Sequence, residues 1–300
     1  MKVLVTGGTG FIGSNIVNKL LDAGREVLIT GLEDITLKNP KLINLGRSFH
    51  NLDWDKIGKI DVVFHQAANN DTTSTNKKEM FKVNVEWSKE LFKNATQSGC
   101  PRIIYASSTA VYGNTPPPHK EIGPFEPLNV YAESKLALDE FAADFAAKNR
   151  EVVIIGLRYC NIYGLGESKK GRRATMIYQL AQEMLKGNPR LFEYGEQKRD
   201  YLYIKDAVRA NLLAALASES CIVNCGFGKA TSFNRLVEIL NAVLKLNRSP
   251  EYIDNPYEKQ YQNFTECDMS YAKEKIGFVP EFDIVKGITD YFEAGPLKEA

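Results

Sequence analysis

Short apolar runs alternate with helical patterns over the first half of the chain. Residues 2–6 form an apolar run of strand length, and residues 11–22 carry apolar side chains at helical spacing. Later apolar runs occupy residues 26–30, 61–64, 102–106 and 152–157. A helical pattern precedes each of the last two runs, at residues 80–98 and 131–148 respectively. Strands that alternate with helices predict an α/β fold with a doubly wound parallel sheet of the Rossmann type.

The ligand side of this predicted sheet is marked by polar and glycine-containing segments. A parallel sheet binds its ligand beyond the carboxyl ends of its strands. Segments of this kind follow four of the predicted strands, at residues 7–13, 67–69, 107–108 and 159–164. We therefore expect all four segments to line one site.

The pattern becomes irregular after Gly164. A basic loop is followed by predicted helices at 174–186, 206–217 and from Asn234, an extended segment at 190–203 and a strand at 221–225. We expect residues 1–164 to form the Rossmann domain, with strand and helix returns from about 204–225. Residues 165–300 are expected to form mainly a smaller substrate-binding lobe.

Composition indicates an ordinary globular chain. Hydrophobic residues make up 44% of the 300 residues and charged residues 25%, with a formal net charge of +1. That charge offers no broad field for nucleic acid or a membrane surface. We recognise no signal peptide and no apolar stretch of about eighteen residues, so we expect a cytoplasmic protein. The five cysteines and three histidines are scattered, which favours reduced thiols and no metal site.

Three glycines at spacing three form the first chemical signal. Gly7, Gly10 and Gly13 directly follow the first predicted strand and open the first predicted helix. Glycines at these places allow a tight turn and a close approach of the backbone to a pyrophosphate, whose charge the helix N-terminus favours. A dinucleotide cofactor is therefore predicted.

The end of the second predicted strand bears on the choice of that cofactor. An acidic residue is expected there for a free ribose 2′-hydroxyl, but Thr30 and Gly31 occupy the place, and Glu33 and Asp34 come slightly later. Lys38 is close enough in sequence to reach a 2′-phosphate, although an exposed loop lysine is an equally good interpretation. We predict NADP, with NAD as the alternative.

Ser108, Tyr131 and Lys135 are the candidate catalytic residues. A tyrosine and a lysine four apart share one helix face, where the ammonium is expected to lower the pKa of the phenol and to hold a cofactor ribose. Ser108 ends a predicted strand and is able to hydrogen-bond the same substrate oxygen. The three side chains together predict removal of a hydroxyl proton during hydride transfer.

On these motifs the chain resembles the extended short-chain dehydrogenase/reductases that act on nucleotide sugars. The matching segments are Thr6-Gly-Gly-Thr-Gly-Phe-Ile-Gly-Ser14, His65-Gln-Ala-Ala68, Asn84, Ser107-Ser-Thr-Ala-Val-Tyr-Gly113, Tyr131-Ala-Glu-Ser-Lys135, Leu157-Arg-Tyr-Cys-Asn-Ile-Tyr-Gly164 and Arg199-Asp-Tyr-Leu-Tyr-Ile-Lys-Asp206. The resemblance implies that the cofactor contacts Gly7, Gly10, Phe11, Ile12, Gly13, Thr30, Lys38, Asn51, Leu52, Ala67, Ala68, Asn84, Tyr131 and Lys135. Epimerases, dehydratases and reductases share these motifs, so they do not identify the reaction.

Subfamily positions narrow the reaction. The 4,6-dehydratases carry Thr-Asp-Glu where this chain has Ser108, Thr109 and Ala110, so dehydration lacks its two carboxyl groups. The 3,5-epimerase/4-reductases carry a cysteine where Thr109 stands. Within the family the chain most resembles the ADP-L-glycero-D-manno-heptose 6-epimerases, through Asp71-Thr-Thr73, Lys170-Gly171, Leu191-Phe-Glu193, Lys198-Arg-Asp200 and Tyr261-Gln-Asn-Phe-Thr265. The resemblance implies that Lys170 is the second acid/base opposite the tyrosine.

That similarity implies the substrate contacts and also has departures. The implied contacts with a nucleotide-diphosphate sugar are Thr72, Thr73, Ser108, Asn161, Arg172, Phe192, Arg199 and Tyr261. Arg199 is expected to meet the pyrophosphate, with a salt bridge to Asp200 or Asp206 as the plainer alternative. The basic loop differs from that of the 6-epimerases and adds Arg172 and Arg173, which leaves the sugar open.

We therefore expect a nucleotide-sugar epimerase with a tightly held cofactor. A UDP-glucose-type 4-epimerase and a keto-sugar reductase are the alternatives within the family, and a cofactor-binding scaffold is the alternative outside catalysis. The family often forms dimers, so a homo-oligomer is compatible with the sequence.

Overall fold

The protein is described from a computed structural model, which covers residues 1–34, 37–254 and 263–295. Its central sheet consists of seven parallel strands: β1 (Lys2–Thr6), β2 (Glu26–Ile29), β3 (Leu42–Asn44), β4 (Val62–His65), β5 (Arg102–Ser108), β6 (Val153–Tyr159) and β10 (Cys221–Cys225). The spatial order is β10-β6-β5-β4-β1-β2-β3, with every neighbouring pair parallel. The predicted Rossmann-type parallel sheet is confirmed.

Ten helices accompany the strands in the described part of the chain. They are α1 (Phe11–Asp22), α2 (Trp54–Ile57), α3 (Lys77–Phe81), α4 (Trp87–Gln97), α5 (Val130–Lys148), α6 (Met176–Lys186), α7 (Ile204–Ala214), α8 (Phe233–Leu244), α9 (Ser270–Ile276) and α10 (Ile284–Glu293). None of them is both long and apolar enough to cross a membrane.

Two smaller sheets stand apart from the central one. β7 (Asn161–Tyr163), β9 (Lys198–Tyr203) and β11 (Ala230–Ser232) form a three-stranded sheet in the order β11-β9-β7, and β8 (Arg190–Phe192) pairs in parallel with β12 (Glu251–Ile253). The segment predicted as extended over 190–203 is therefore two strands. They are separated by a 3-10 turn at Glu193–Gly195.

Helix ends differ from the predictions by a few residues. The predicted helix at 80–98 is two helices joined by a π-helical stretch at Lys82–Glu86, and the helix predicted at 206–217 spans Ile204–Ala214. Apolar periodicity does not register a π turn, since the extra residue changes only the local hydrogen bonds.

Both faces of the central sheet are covered, and alternate residues of each strand reach opposite faces. Val3 and Val5 belong to one buried apolar cluster and Leu4 to the other, in keeping with the two-residue period of a strand. The cluster that contains Leu4 also includes Leu138 and Ala142 of α5. A sheet buried on both faces explains why its strands are continuous apolar runs in the sequence.

Candidate active site

The segment of residues 7–13, which leads from the end of β1 into the first turn of α1, has no room for side chains at Gly7 and Gly13. A Cβ at Gly13 would lie 2.1 Å from the Gly7 carbonyl oxygen, and Gly7 has φ +66 with Ala67 N 2.8 Å from its Cβ position. The turn therefore lies tightly against the segment that follows β4. The free N–H groups in the first turn of α1 form a cradle that fits a pyrophosphate.

The end of β2 carries its acidic group two residues later than the family pattern. A Cβ at Gly31 would lie 2.0 Å from Oγ1 of Thr9, so a side chain at this position would have to displace Thr9. Instead the Thr9 hydroxyl donates to the carboxylate of Glu33. An acidic group therefore does lie beside the glycine turn, where the adenosine ribose of a dinucleotide is expected.

One cation lies beside Glu33. The guanidinium of Arg47 donates to the Leu32 carbonyl oxygen through Nη2 at 2.7 Å and Nε at 3.1 Å. Lys38, the cation predicted from the sequence, is exposed. The predicted contacts Asn51 and Leu52 follow β3, where Asn51 has φ +59, and Thr30 is buried at the end of β2 with its carbonyl accepting from Gly8.

Asn84 connects the cofactor side to the catalytic helix. Its carbonyl oxygen accepts from the Asn69 N–H at 2.7 Å, and its amide donates to the Asn69 carbonyl and to Oγ of Ser134. Asn84 lies in the π-helical stretch and is buried. Its hydrogen bonds fix the segment 67–69 against the first turns of α5. It is a positioning group for both segments.

Ser108, Tyr131 and Lys135 lie together where β5 ends and α5 begins. Asn129 caps α5 by accepting from Ala132 N at 2.9 Å, which sets Tyr131 in the first turn. The Ser108 hydroxyl accepts from Ala110 N at 3.2 Å and lies close enough to the Tyr131 phenol to lower its pKa. The ammonium of Lys135 donates to the Ala106 carbonyl at 2.8 Å and lies 5.8 Å from the centre of the Tyr131 ring.

The two titrating groups of this cluster are shifted by burial. Burial lowers the pKa of Lys135 to about 8, against an opposing effect of Asp139. Burial also raises the pKa of Tyr131, while the nearby Ser108 hydroxyl lowers it. The expected net lowering of the Tyr131 pKa by Lys135 is therefore wrong for the protein alone, because desolvation of the phenolate outweighs the favourable contacts.

Lys170 lies on a loop, residues 165–174, that reaches back to the glycine turn. Its ammonium is 5.0 Å from the centre of the Phe11 ring, and burial lowers its pKa while Glu167 raises it. Asn15 donates to the Leu165 carbonyl at 3.2 Å, and Arg173 donates to Oδ1 of Asn70 at 2.6 Å. We call residues 165–174 the Lys170 loop.

A buried carboxylate closes the base of the Lys170 loop. Glu167 accepts from the N–H of Gly164 before the loop and from the N–H and hydroxyl of Thr175 after it. Glu167 is fully buried, and burial raises its pKa. The two ends of the loop are thus joined through one side chain.

The predicted substrate residues are distributed over several segments of the chain. Thr73 is exposed after β4 and donates to Asp71, beside the exposed Thr72. Asn161 donates to the Asp200 carbonyl at 3.0 Å, which joins β7 to β9. Phe192 ends β8, and its carbonyl accepts from Gln197.

Arg199 lies on β9 with its guanidinium 5.7 Å from the centre of the Phe233 ring. The carboxylate of Asp200 accepts instead from the N–H groups of Phe227, Gly228 and Cys267, so its lone pairs are used within the fold. Tyr261 lies outside the described residues, and so does the side chain of Arg172.

Sequence reasoning did not single out Arg47, Glu167 or the Arg173–Asn70 contact as parts of this region. Arg47 and Leu32 are 15 residues apart, and Arg173 and Asn70 are 103 apart. Only Glu167, three residues before Lys170, had a local signal, namely an acidic residue within a basic loop.

Comparison with known proteins gives one family and several similar structures. The model of the family described as the NAD dependent epimerase/dehydratase family matches residues 3–226. The chain is similar to ADP-L-glycero-D-manno-heptose-6-epimerase of Helicobacter pylori, with 33% identity and a TM-score of 0.86 over 98% of this chain and 95% of that chain. It is also similar to UDP-N-acetylglucosamine 4-epimerase of Methanobrevibacter ruminantium M1 (29%, TM-score 0.88, 98% of each chain). UDP-glucose 4-epimerase of Thermotoga maritima is similar at 27%, with a TM-score of 0.86 over 98% of this chain and 99% of that chain.

Proposed function

This chain belongs to the NAD-dependent epimerase/dehydratase family, and from that premise we propose that it epimerises a nucleotide-diphosphate sugar. The observation that carries the proposal is the cluster of Ser108, Tyr131 and Lys135 at the end of β5 and the start of α5. We favour a reaction like that of the ADP-glycero-manno-heptose 6-epimerases, one of which is 33% identical to this chain. Epimerisation at carbon 4 of a UDP-sugar is the second candidate, supported by the 4-epimerases at 29% and 27% identity.

The roles of the three residues follow from their contacts. Tyr131 takes the hydroxyl proton of the sugar, and Ser108, whose hydroxyl lies near the phenol, orients the same oxygen. Lys135 is held by the Ala106 carbonyl close to the tyrosine and is placed to bind the nicotinamide ribose. A bound nicotinamide dinucleotide would supply the hydride transfer, accepting hydride from the sugar carbon and returning it.

Lys170 is the proposed second acid/base. Return of hydride to the opposite face requires either a keto-sugar that turns over in the site or a second group on its other side. Lys170 is half-buried beside Phe11, and burial lowers its pKa toward the range in which a lysine exchanges protons.

For the cofactor, the structure supports NAD over the NADP predicted from the sequence. The argument for NADP was the missing acidic residue at Thr30 and Gly31. The Glu33 carboxylate beside Thr9 supplies that acidic group, and it would repel a 2′-phosphate while accepting from a 2′-hydroxyl. We therefore propose that the cofactor is NAD. NADP is the alternative, because the Arg47 guanidinium binds the carbonyl of the neighbouring Leu32 and is the nearby cation.

The decisive test is isomer analysis of a panel of ADP-, GDP-, UDP- and dTDP-sugars after incubation with the protein. We expect conversion of one sugar to its epimer without net consumption of the cofactor. Tyr131→Phe should bind the cofactor normally and lose turnover by about 100- to 10,000-fold. Stoichiometric cofactor oxidation would indicate a reductase, and cofactor binding without conversion of any sugar would contradict catalysis.

Lys170→Met distinguishes the two candidate epimerisations. If two groups flank the sugar, the variant loses epimerisation and keeps cofactor binding. If the intermediate turns over, only Tyr131 is needed, and the variant changes substrate affinity by the equivalent of about 1 kcal/mol at most. Measuring turnover and affinity together separates these outcomes, with Lys169→Met in the same loop as the matched control.

A further inference from the structure

A buried carboxylate lies within the basic Lys170 loop. Glu167 is fully buried, whereas Lys169, Gly171 and Arg173 in the same loop are exposed. Removing an ionised carboxyl from water is costly unless hydrogen bonds and a charged partner compensate for the lost hydration. The contacts of Glu167 therefore indicate what the fold gains from placing this group inside.

The hydrogen bonds of Glu167 connect the two ends of the loop. Its Oε1 accepts from the N–H of Gly164 at 3.3 Å. Its Oε2 accepts from the N–H and from the hydroxyl of Thr175, each at 3.0 Å. Gly164 directly follows β7, and Thr175 directly precedes α6. One side chain therefore holds the loop closed between a strand and a helix.

Glu167 and Lys170 lie three residues apart in the same turn. A 3-10 helix begins at Glu167, and its regular part includes Lys170. Side chains three apart in a 3-10 helix lie on one side of it. The Lys170 ammonium is 5.0 Å from the centre of the Phe11 ring, and a Cβ at Gly166 would lie 3.6 Å from that ring. The turn that begins at Glu167 thus carries the ammonium to the start of α1.

The charged groups of the loop act on one another. Burial lowers the pKa of Lys170, Glu167 raises it and Arg173 lowers it. Burial raises the pKa of Glu167, and the charge of Lys170 is the first effect that opposes this. Tyr163 and Tyr291 lie around the same carboxyl, and their pKa values are raised by burial and also by the charge of Glu167. The Lys170 ammonium is therefore stabilised by one neighbouring carboxylate and destabilised by one neighbouring guanidinium.

We propose that Glu167 is a positioning residue for the epimerisation, which holds Lys170 at the glycine turn by closing its loop and by providing the counter-charge of its ammonium. The inference rests on the proposed role of Lys170 as the second acid/base. Because Glu167 is fully buried, it acts through Lys170 and not on the sugar. A lysine that loses and regains a proton in each turnover needs both of its forms to be accessible, and Glu167 and Arg173 act on that balance in opposite directions.

The first test is the ionisation of Lys170 in Glu167→Gln, which keeps the size of the side chain and removes its charge. The pH dependence of trace acetylation by acetic anhydride measures this ionisation, and fragment-ion mass spectrometry separates Lys170 from Lys169. The midpoint for Lys170 should move to lower pH, and its labelling at pH 8 should become about two- to fivefold faster relative to Lys169. Glu183→Gln removes an exposed carboxyl on α6 that accepts from the N–H of Arg190, and this matched control should leave the midpoint unchanged.

The second test is Thr175→Val, which leaves the buried carboxyl in place and remains informative if Glu167→Gln does not fold. This variant removes the hydrogen bond from the Thr175 hydroxyl to Glu167. Trypsin should therefore cleave the Lys170 loop about two- to tenfold faster. The midpoint for Lys170 should stay as in the unmodified protein, because the charge of Glu167 is retained.

The pH profile of kcat provides a measurement that a loss of stability alone would not shift. In Glu167→Gln this profile should move to lower pH together with the labelling midpoint. An unchanged Lys170 midpoint in Glu167→Gln, or unchanged cleavage of the loop in Thr175→Val, would overturn the inference. A kcat profile that does not follow the midpoint, in a protein that Lys170→Met inactivates, would also overturn it. A shifted midpoint in a protein that converts no sugar would instead support the pairing of Glu167 with Lys170 and contradict the proposed function.

Discussion

At the scale of single residues, the contact between Thr9 and Glu33 places a carboxylate beside the glycine turn, where we propose that the adenosine ribose of the cofactor binds. Gly31 leaves no space for a side chain, and Glu33 reaches the Thr9 hydroxyl from two residues downstream. Arg47 binds the carbonyl of Leu32, the residue between them. The Glu33 carboxylate and the carbonyl that binds Arg47 therefore belong to adjacent residues, at the place that we propose for the ribose 2′ position of the cofactor.

This arrangement predicts a change of cofactor preference on removal of Glu33. Glu33→Ala should raise the affinity for NADP relative to NAD by about tenfold or more, because Arg47 then meets the 2′-phosphate without a competing carboxylate. The double variant with Arg47→Ala should lose that gain. Titration of NAD and NADP into the three proteins gives the dissociation constants that test this prediction. An unchanged ratio of the NAD and NADP affinities in Glu33→Ala would show that Glu33 does not contact the ribose.

His65 is a buried imidazole below the cofactor segments. Its Nδ1 is 2.7 Å from the Thr6 hydroxyl and its Nε2 is 2.8 Å from the Ser88 hydroxyl, so both ring nitrogens have partners. Burial, with a smaller effect of the charge on Lys135, lowers its pKa to about 3. The imidazole is therefore neutral in the folded protein over the usual range of pH.

His65 predicts an acid sensitivity with a definite sign. Between pH 6.5 and about 3 the unfolded chain binds a proton at this imidazole and the folded protein does not, so the free energy of unfolding falls as the pH is lowered. From pH 6.5 to 4.5 the loss is about 2 kcal/mol relative to His65→Gln. Urea unfolding of both proteins at several pH values measures this, and parallel pH profiles would show that His65 titrates normally.

At the scale of elements, α5 is fastened to the sheet by a buried ion pair. Asp139, one turn after Lys135, accepts from Nε of Arg158 on β6 at 2.8 Å and from the Tyr105 hydroxyl on β5 at 2.8 Å. Arg158 also donates to the Tyr112 hydroxyl and lies 4.6 Å from the Phe125 ring centre. The helix that carries Tyr131 and Lys135 is thus bound to two strands through one carboxylate.

Removal of one partner of this pair should cost more than removal of both. Arg158→Met is expected to lower the free energy of unfolding by about 3–5 kcal/mol, because it leaves a buried carboxylate without its cation. The double variant Arg158→Met, Asp139→Leu should be more stable than that single variant. Denaturant unfolding of the two proteins tests the pair, and a single-variant cost below about 1 kcal/mol would show that Asp139 is solvated.

The elements that were predicted correctly depend on residues that lie close together in the sequence. The apolar run before Gly7 gave β1, and a spacing of four placed Tyr131 and Lys135 on one face of α5. The spacing established charge proximity but not burial, which is why the direction of the Tyr131 pKa shift was wrong. Glu33 beside Thr9 depends on the path of the chain after β2, which no periodicity encodes.

At the scale of the whole molecule, the Lys170 loop spans the cleft between two segments that follow central strands. It contacts α1 through Asn15 and Phe11, and the segment after β4 through Asn70. Glycines with φ +95 and +55 stand at positions 166 and 171 of the loop. A ligand bound between these segments lies under the loop.

The loop contains four potential sites for trypsin, at Lys169, Lys170, Arg172 and Arg173. Asn70→Ala removes the partner of Arg173 and should speed cleavage in this loop about two- to tenfold, as expected for the loss of one hydrogen bond of about 0.5–1.5 kcal/mol. Saturating NAD should slow cleavage in this loop. Mass spectrometry of timed digests gives the cleavage rates, with cleavage elsewhere in the chain as the internal control. An unchanged rate in Asn70→Ala would show that the contact between Arg173 and Asn70 does not hold the loop closed.

The seventh strand of the central sheet has a consequence for how the chain is made. All five residues of β10 pair with residues 155–159 of β6, yet β10 begins 62 residues after β6 ends. At about 5–20 residues per second, a ribosome exposes β6 roughly 3–12 s before its partner exists. During that interval an apolar strand offers a bare edge on which other chains can assemble. Released chains that end near residue 164 should therefore aggregate or occupy chaperones, and solubility should be recovered in the full chain, which includes β10.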